Sequence, residues 1–292
     1  MGHVALKLDL EKAHDRLEWS FIRETLEFFQ VPLNLITLIM NMISSTRFHV
    51  LWNGSPLPEV VPSRGIRQGD PLSPYLFILC MERLSINLNE AVRDKLIHPI
   101  NFRTGVRLSH LFFADDIFLF TRATARDCKN LNRIMMDFCA MSGQLMSVTK
   151  SKTWFSPRTP RCIKDQVAGI LGLPTTDRIG TYLGTPIFTT RQTASSYQYL
   201  MDNIRKRIEG WQARYLSMAG RATLIKDAIT SVPLYAMQTT LLPKKVCHQI
   251  DTMSCHFLWG DTDHHRGCHT VYWEIVTLPK EAGIIIAFGF QF

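Results

Sequence analysis

Residues 111–120 read LFFADDIFLF, which sets Asp115 and Asp116 side by side in a run that is otherwise apolar or aromatic. Val106 to His110 and Ile117 to Phe120 flank the pair, a strand–turn–strand pattern. Two adjacent like charges in a stretch that reads as buried sheet are costly unless they are paired, ligated or neutralised. A third carboxylate raises the same problem. Asp9 sits in VALKLDL, residues 4–10, an alternating stretch that begins the chain as a strand.

If the two elements are neighbours in one sheet, three carboxylates converge at one end of it. Three ionised carboxylates repel, so the arrangement needs cations between them. Mg²⁺, or Mn²⁺ in its place, matches all-oxygen ligands and keeps further positions for water and phosphate. Two such ions about 3.5–4 Å apart can activate a hydroxyl and bear the charge on a leaving phosphate group. Aspartates at strand ends also serve as turn or cap residues, and the residue pattern alone leaves both readings open.

The rest of the chain sets the frame. Its 292 residues are 46% hydrophobic, enough for one large domain or two smaller ones. A net charge of +8 suits an anionic partner, although a basic surface can equally be only a solvated one. Seven scattered cysteines, an odd number, suggest reduced thiols rather than a disulfide framework. No window approaches 18 apolar residues and the first residues lack a leader pattern, so the expectation is a soluble intracellular protein, nuclear or cytoplasmic, without a membrane partner.

Helices are expected from about Ser20, with its hydroxyl as cap, and over Leu33–Ile43. Arg47 to Val61 reads as a hairpin turning at Asn53-Gly54. The glycine- and proline-punctuated loop SRGIRQGDPLSP, residues 63–74, leads into an amphipathic helix with Pro74 at its start. A helix is expected over Ala123–Met141 and a short strand over Thr153–Ser156, with Pro157 to Asp177 looser. Beyond residue 195 the pattern turns helical. A boundary near residue 190 therefore separates an α+β domain, 1–190, from a helical region, 191–292.

Five motifs, in order, resemble those of reverse transcriptases of non-LTR retrotransposons, especially plant LINE-type elements. They are KLDLEKAHDRLEW (Lys7 to Trp19), SRGIRQGDPLSPYLF (Ser63 to Phe77), FADD (Phe113 to Asp116), SGQLMSVTKSK (Ser142 to Lys152) and YLGTP (Tyr182 to Pro186). The resemblance implies a polymerase palm, an antiparallel four-stranded sheet of ferredoxin or RRM-like type backed by helices, followed by a helical thumb-like region. It implies RNA-directed DNA synthesis, with RNA template, DNA primer and deoxynucleoside triphosphates as partners.

By resemblance Asp9, Asp115 and Asp116 are catalytic and hold two Mg²⁺ ions, and Lys150 lies near the nucleotide phosphates, where it would steady the leaving pyrophosphate. His14, Arg67, Gln68 and Gly69 would border nucleotide and template. Tyr182, Leu183 and Gly184 would lie beside the primer. Gly65 and Gly69 lack a Cβ and so allow backbone to approach a base pair. Lys7 and Lys12 are expected at the surface or paired with Glu11 or Asp15.

The stretch Tyr199–Ile250 carries eight Lys/Arg against three Asp/Glu. Arg205, Lys206, Arg207, Arg214 and Arg221 in it could track a duplex backbone without reading sequence. Leu200, Ile204, Ile208 and Trp211 recur at helical spacing and read as core. Cys255, His256, His264, His265, Cys268 and His269 raise a zinc reading, but their spacing lacks a C-x₂-C knuckle.

Two departures from the family pattern stand out: His14 replaces an aromatic expected against the sugar, and Ser147 replaces an asparagine. The expectation is a palm and thumb-like piece without fingers, endonuclease or RNase H, its pattern fading towards Phe292. The alternatives are a catalytically inactive retroelement remnant that binds nucleic acid, and a metal-dependent phosphohydrolase using the same carboxylates.

Overall fold

In a computed structural model, described for residues 2–102, 104–188, 192–211, 215–261 and 267–277, the chain divides into two compact units, Met1–Gly180 and Thr181–Phe292. The division falls before the expected position near 190. Strands are β1 His3–Leu8, β2 Leu51–Trp52, β3 Ser55–Pro56, β4 Ile100–Asn101, β5 Arg107–Leu108, β6 His110–Phe113, β7 Asp116–Arg122, β8 Lys152–Phe155, β9 Thr175–Thr176, β10 Thr181–Tyr182 and β11 Thr185–Pro186. Helices of the first unit are α1 Ala13–Arg16, α2 Trp19–Phe28, α3 Leu33–Ser44, α4 Ser73–Arg93, α5 Ala125–Ser142 and α6 Arg161–Leu171. Those of the second are α7 Gln198–Gly210, α8 Met218–Leu224, α9 Ser231–Thr239, α10 Lys244–Trp259 and α11 Trp273–Val276.

The first unit is built on a five-stranded sheet in the order β6-β7-β1-β8-β9. The first four strands are antiparallel; β9 pairs parallel to β8, with Thr153 opposite Thr175. The expected four-stranded antiparallel sheet is thus corrected by one short parallel edge. Parallel neighbours need a crossover, and α6 supplies it from within the stretch expected to be loose. Its apolar residues Ile163, Val167, Ile170 and Leu171 turn inward at helical spacing, and Gly172 ends it in the left-handed region.

Alternation along β1 puts Val4, Leu6 and Leu8 on one face, where they join Ile117 and Leu119 of β7 in the main core. The core continues through Phe21, Ile22 and Leu26 of α2, Leu84 and Leu88 of α4, and Leu131, Met135 and Phe138 of α5. Burying apolar side chains of this size contributes roughly 1.5–3 kcal/mol each. The helices therefore back one face of the sheet. The opposite face carries Ala5 and Lys7 of β1 and Phe118 and Phe120 of β7.

Local signals explain most boundaries. Asn53 and Gly54 both have positive φ, 47° and 82°, and turn β2 into β3. The α4 helix starts at Ser73 with proline in its first turn, α3 starts after Pro32, and the Thr124 hydroxyl caps α5 by accepting the Asp127 N–H. Ser20 is not a cap as expected: α2 begins one residue earlier, and Glu18 occupies the cap position in extended conformation.

The second unit has its own core of Tyr197, Leu200, Ile204, Ile225, Ile229, Val246, Ile250, Phe257 and Leu258, with Ile208 and Trp211 packed against it. The α8 helix passes through one π-helical turn, Ile225–Ile229, into α9. Among the described residues no helix is long and apolar enough to cross a membrane.

Candidate active site

The β1–β7 ladder ends at Leu8 opposite Ile117, so the residues one step beyond on the two strands, Asp9 and Asp116, fall at the same end of the sheet. Lys7, Asp9, Asp116 and Phe118 share one face by alternation, the face opposite the helices. Asp116 opens β7 and pairs with Phe113 across a two-residue turn of Ala114 and Asp115, with Ala114 at φ 51°. Positive φ is unusual for a residue with a Cβ. As the strand–turn–strand pattern expects, the double aspartate sits at a hairpin tip, where Asp115 is exposed, Asp9 and Asp116 are half-buried, and Phe113 is 58% exposed. The expectation of carboxylates buried in apolar sheet is corrected accordingly. A tight turn lifts its residues past the last ladder pair into solvent.

A second segment pins Asp9 from its other side. The Glu11 N–H donates to Leu145 O at 2.8 Å, Leu10 bridges Met146, the Ser147 N–H donates to Asp9 O at 2.9 Å, and the Asp9 N–H donates to Ser151 Oγ at 3.1 Å. This run carries Lys150 to Asp9, with Nζ 3.6 Å from Oδ2. Ser147, one of the two departures from the family pattern, is buried within it. Lys7, expected at the surface or paired with Glu11 or Asp15, faces Asp116. Its Nζ lies 3.9 Å from Asp116 Oδ1 and 5.5 Å from the centre of the Phe118 ring.

Among the described residues no group of three or more His, Cys, Asp or Glu side chains gathers to hold a metal ion. The geometry offers a pair of carboxylates, Asp9 and Asp116, each facing a lysine, with Asp115 in the adjoining turn. That all-oxygen, half-exposed pair fits a hard divalent cation.

The loop from Ser63 is sewn to the chain that follows Asp9. The Gly65 N–H donates to Leu17 O at 2.8 Å, the Ile66 N–H donates to His14 O at 2.8 Å, and Trp19 Nε1 donates to Gly65 O at 2.7 Å. A Cβ on Gly65 would lie 2.6 Å from Asp15 O, so this glycine admits the chain's own backbone rather than a base pair as expected. Gly69, at φ 87°, faces open space. Arg67, Gln68 and Gly69 are exposed, and Asp70 accepts the Leu72 N–H at 2.8 Å just before α4. A cavity of about 570 Å³ opens beside this loop, lined by Asp15, Ile43, Phe48, Arg67, Gln68 and Leu76 among others; Asp9, Asp115 and Asp116 do not line it. His14 stacks on Phe77, centroids 4.7 Å apart and planes at 16°.

In the second unit, Tyr182 and Thr185 pair across a turn of Leu183 and Gly184, both at positive φ. The basic residues there divide by what holds them. Arg205 pairs with Asp202 at 3.4 Å, and Lys206 is exposed. Arg207 donates to Ala228 O at 2.7 Å. Arg221 is half-buried and donates to Leu216 O and to Leu258 O near the end of α10, so its guanidinium secures a helix terminus. Arg214 lies outside the described residues, as do His264 and His265. His256 and His269 face Asp261, with His269 Nε2 3.0 Å and His256 Nε2 3.9 Å from Oδ2.

Sequence reasoning missed Lys7 and Ser151 as neighbours of the carboxylates. For Lys7 the signal was present, since two residues' spacing on a strand means the same face.

Compared with known proteins, the chain belongs to the reverse transcriptase (RNA-dependent DNA polymerase) family, whose model matches residues 1–201. Within that family it is a reverse transcriptase domain of the non-LTR retrotransposon type. It is 32% identical over 146 residues to the retrovirus-related Pol polyprotein from type-2 retrotransposable element R2DM of Drosophila melanogaster, covering 50% of this chain and 13% of that one. It is 26% identical over 291 residues to the transposon TX1 uncharacterized 149 kDa protein of Xenopus laevis, covering 95% of this chain and 20% of that one. The chain thus spans no more than about a fifth of either relative's length. A solved telomerase from Candida tropicalis aligns over 88% of this chain and 43% of its own, at 12% identity and a TM-score of 0.45.

Proposed function

We propose that this chain acts in RNA-directed DNA synthesis as the palm and thumb-like part of a plant LINE-type reverse transcriptase. The primer 3′-hydroxyl would attack the α-phosphate of a deoxynucleoside triphosphate in line, releasing pyrophosphate. The observation that supports the reading is the register of β1 on β7, whose last pair, Leu8 and Ile117, leaves Asp9 and Asp116 at the same end of the sheet. The first unit is the palm and the second the thumb-like region.

Asp9 and Asp116, with Asp115 from the turn, would hold Mg²⁺ or Mn²⁺, which when bound lowers the pKa of the attacking hydroxyl and takes up charge on the leaving group. Lys150 places an ammonium beside the same carboxylates, 71% exposed and so free to swing towards a leaving pyrophosphate. Arg67, Gln68 and Gly69 present side chains and an open backbone to nucleotide and template. Tyr182, Leu183 and Gly184 would lie along the primer. Arg205 and Lys206 are the helix cations best disposed to grip a phosphate backbone, since Arg207 and Arg221 already serve main-chain carbonyls.

A second reading, a domain that binds nucleic acid without turnover, is favoured by one observation. His14 stands where the resemblance expects a larger aromatic, and its ring rests on Phe77. Primer extension on homopolymer RNA with Mg²⁺ decides between them. Incorporation that Asp116→Asn abolishes supports the polymerase. Retention of primer–template with no incorporation supports the binding domain.

A further inference from the structure

Lys7 opens the first motif without a role assigned above, yet among the described residues it is a cation paired with Asp116. Its side chain is 24% exposed, lies on the same sheet face as both carboxylates, and holds its ammonium 3.9 Å from Asp116 Oδ1 and 5.5 Å from the Phe118 ring centre. Lys150, by contrast, is 71% exposed on its partner Asp9. The two lysines therefore differ in kind. Lys150 is a tethered but mobile charge, whereas Lys7 rises from the middle of a paired strand, opposite Phe118, and its stem has little choice of direction.

We propose that Lys7 is the built-in counter-ion of Asp116, whose charge competes with an arriving divalent cation for this carboxylate, and that this competition outweighs what Lys7 adds by holding the carboxylate on the sheet face. This rests on the divalent-cation reading of Asp9 and Asp116. The physical argument is charge balance. Two carboxylates side by side at the end of a sheet repel each other, and the repulsion would turn Asp116 away from Asp9 unless a positive charge stands near. A fixed ammonium supplies it and costs no ordering of a long exposed side chain. The same ammonium repels an incoming divalent ion, so it sets the affinity of the site low enough for the ion to arrive with its phosphate-bearing ligand rather than to stay permanently.

The competition gives a signed prediction. Removing the charge while keeping the stem, in Lys7→Met, tightens Mn²⁺ binding by about tenfold, a unit charge acting on a divalent ion through a half-exposed site. Lys7→Arg keeps the charge and stays within about twofold of the unaltered chain. A purely structural role for Lys7 predicts the reverse, because a disordered carboxylate binds metal less well.

The experiment is Mn²⁺ titration of the full chain followed by electron paramagnetic resonance, with circular dichroism and thermal unfolding to establish that each variant is folded, and Asp116→Asn alongside. Tighter binding in Lys7→Met, near-native binding in Lys7→Arg and loss in Asp116→Asn are the expected results. Unchanged or weaker binding in a folded Lys7→Met chain, with loss in Asp116→Asn, overturns the role of Lys7 and leaves the cation site standing. Binding that Asp116→Asn does not weaken, or no binding by the unaltered chain, overturns the cation site and the inference together. Should Lys7→Met not fold, Lys7→Gln is titrated in its place against the same outcomes.

Discussion

Replacing Gly65 by alanine tests how the loop at residues 63–73 is built, and the structure supplies an internal control. Gly65 has φ 85°, and a Cβ there would meet Asp15 O at 2.6 Å and Asp15 C and Cα at 3.0 Å. Left-handed backbone costs a residue with a Cβ roughly 1–2 kcal/mol. The overlap is with main chain, which cannot swing aside, so the loop must lift and strain the three hydrogen bonds that join Gly65 and Ile66 to Leu17, Trp19 and His14. Each is worth about 1 kcal/mol. Gly65→Ala is therefore expected to cost about 3–5 kcal/mol.

Gly69 has nearly the same φ, 87°, but nothing within 4 Å of its missing Cβ. Gly69→Ala meets the backbone cost alone, about 1–2 kcal/mol. In urea unfolding followed by circular dichroism, with a slope of about 2 kcal/mol per molar, the midpoints of the two variants should differ by about 1 M or more. Equal midpoints would refute the reasoning, because they would mean that the loop does not rest on the chain after Asp9.

Three further outcomes follow from buried polar groups. Asp127 is buried, and its Oδ2 accepts from the His98 N–H at 3.1 Å and the Thr121 hydroxyl at 3.3 Å and lies 3.0 Å from His98 Nδ1; Asp127→Ala should cost about 2–4 kcal/mol in the same urea assay. Burial holds the His110 imidazole below its ordinary 6.5, between the hydroxyls of Ser85 and Ser109. The unfolded chain then binds the proton more readily, so stability should fall as pH drops through about 6.5 and below, and His110→Gln should flatten that part of the stability–pH curve. Burial also pushes the thiols of Cys80 and Cys128 up to about 12, so iodoacetamide at pH 8 should label exposed Cys162 and Cys268 and spare those two, as read by peptide mass spectrometry.

The parts of this fold legible in the sequence are those with local causes. Alternation announces β1, Asn53-Gly54 announces its hairpin, and Pro74 marks the start of α4. The crossover α6 is hidden in the sequence because its inward apolar residues sit between Pro157, Pro160 and Pro174, whose punctuation outweighs a short periodic pattern. With α6 unseen, the parallel strand β9 could not be placed. At the site, the motifs name Asp9, Asp115, Asp116 and Lys150 and the flanking pattern names the turn, but the exposure of the carboxylates follows from where the last ladder pair falls, which the apolar flanks do not reveal. Arg221 illustrates the remaining limit. Its charge suggests a phosphate, and only tertiary structure reveals that the carbonyl of Leu258 claims it.

The proposed chemistry depends above all on Asp9 and Asp116 sharing a divalent cation at the end of the β1–β7 ladder. Crystals grown with MnCl₂ and measured above the manganese absorption edge address this directly. An anomalous peak about 2.2 Å from carboxylate oxygens of both residues, lost in Asp116→Asn, is the predicted result. A peak bound elsewhere with both carboxylates still on their lysines, or side chains of Asp9 and Asp116 on opposite faces of the sheet, would contradict it.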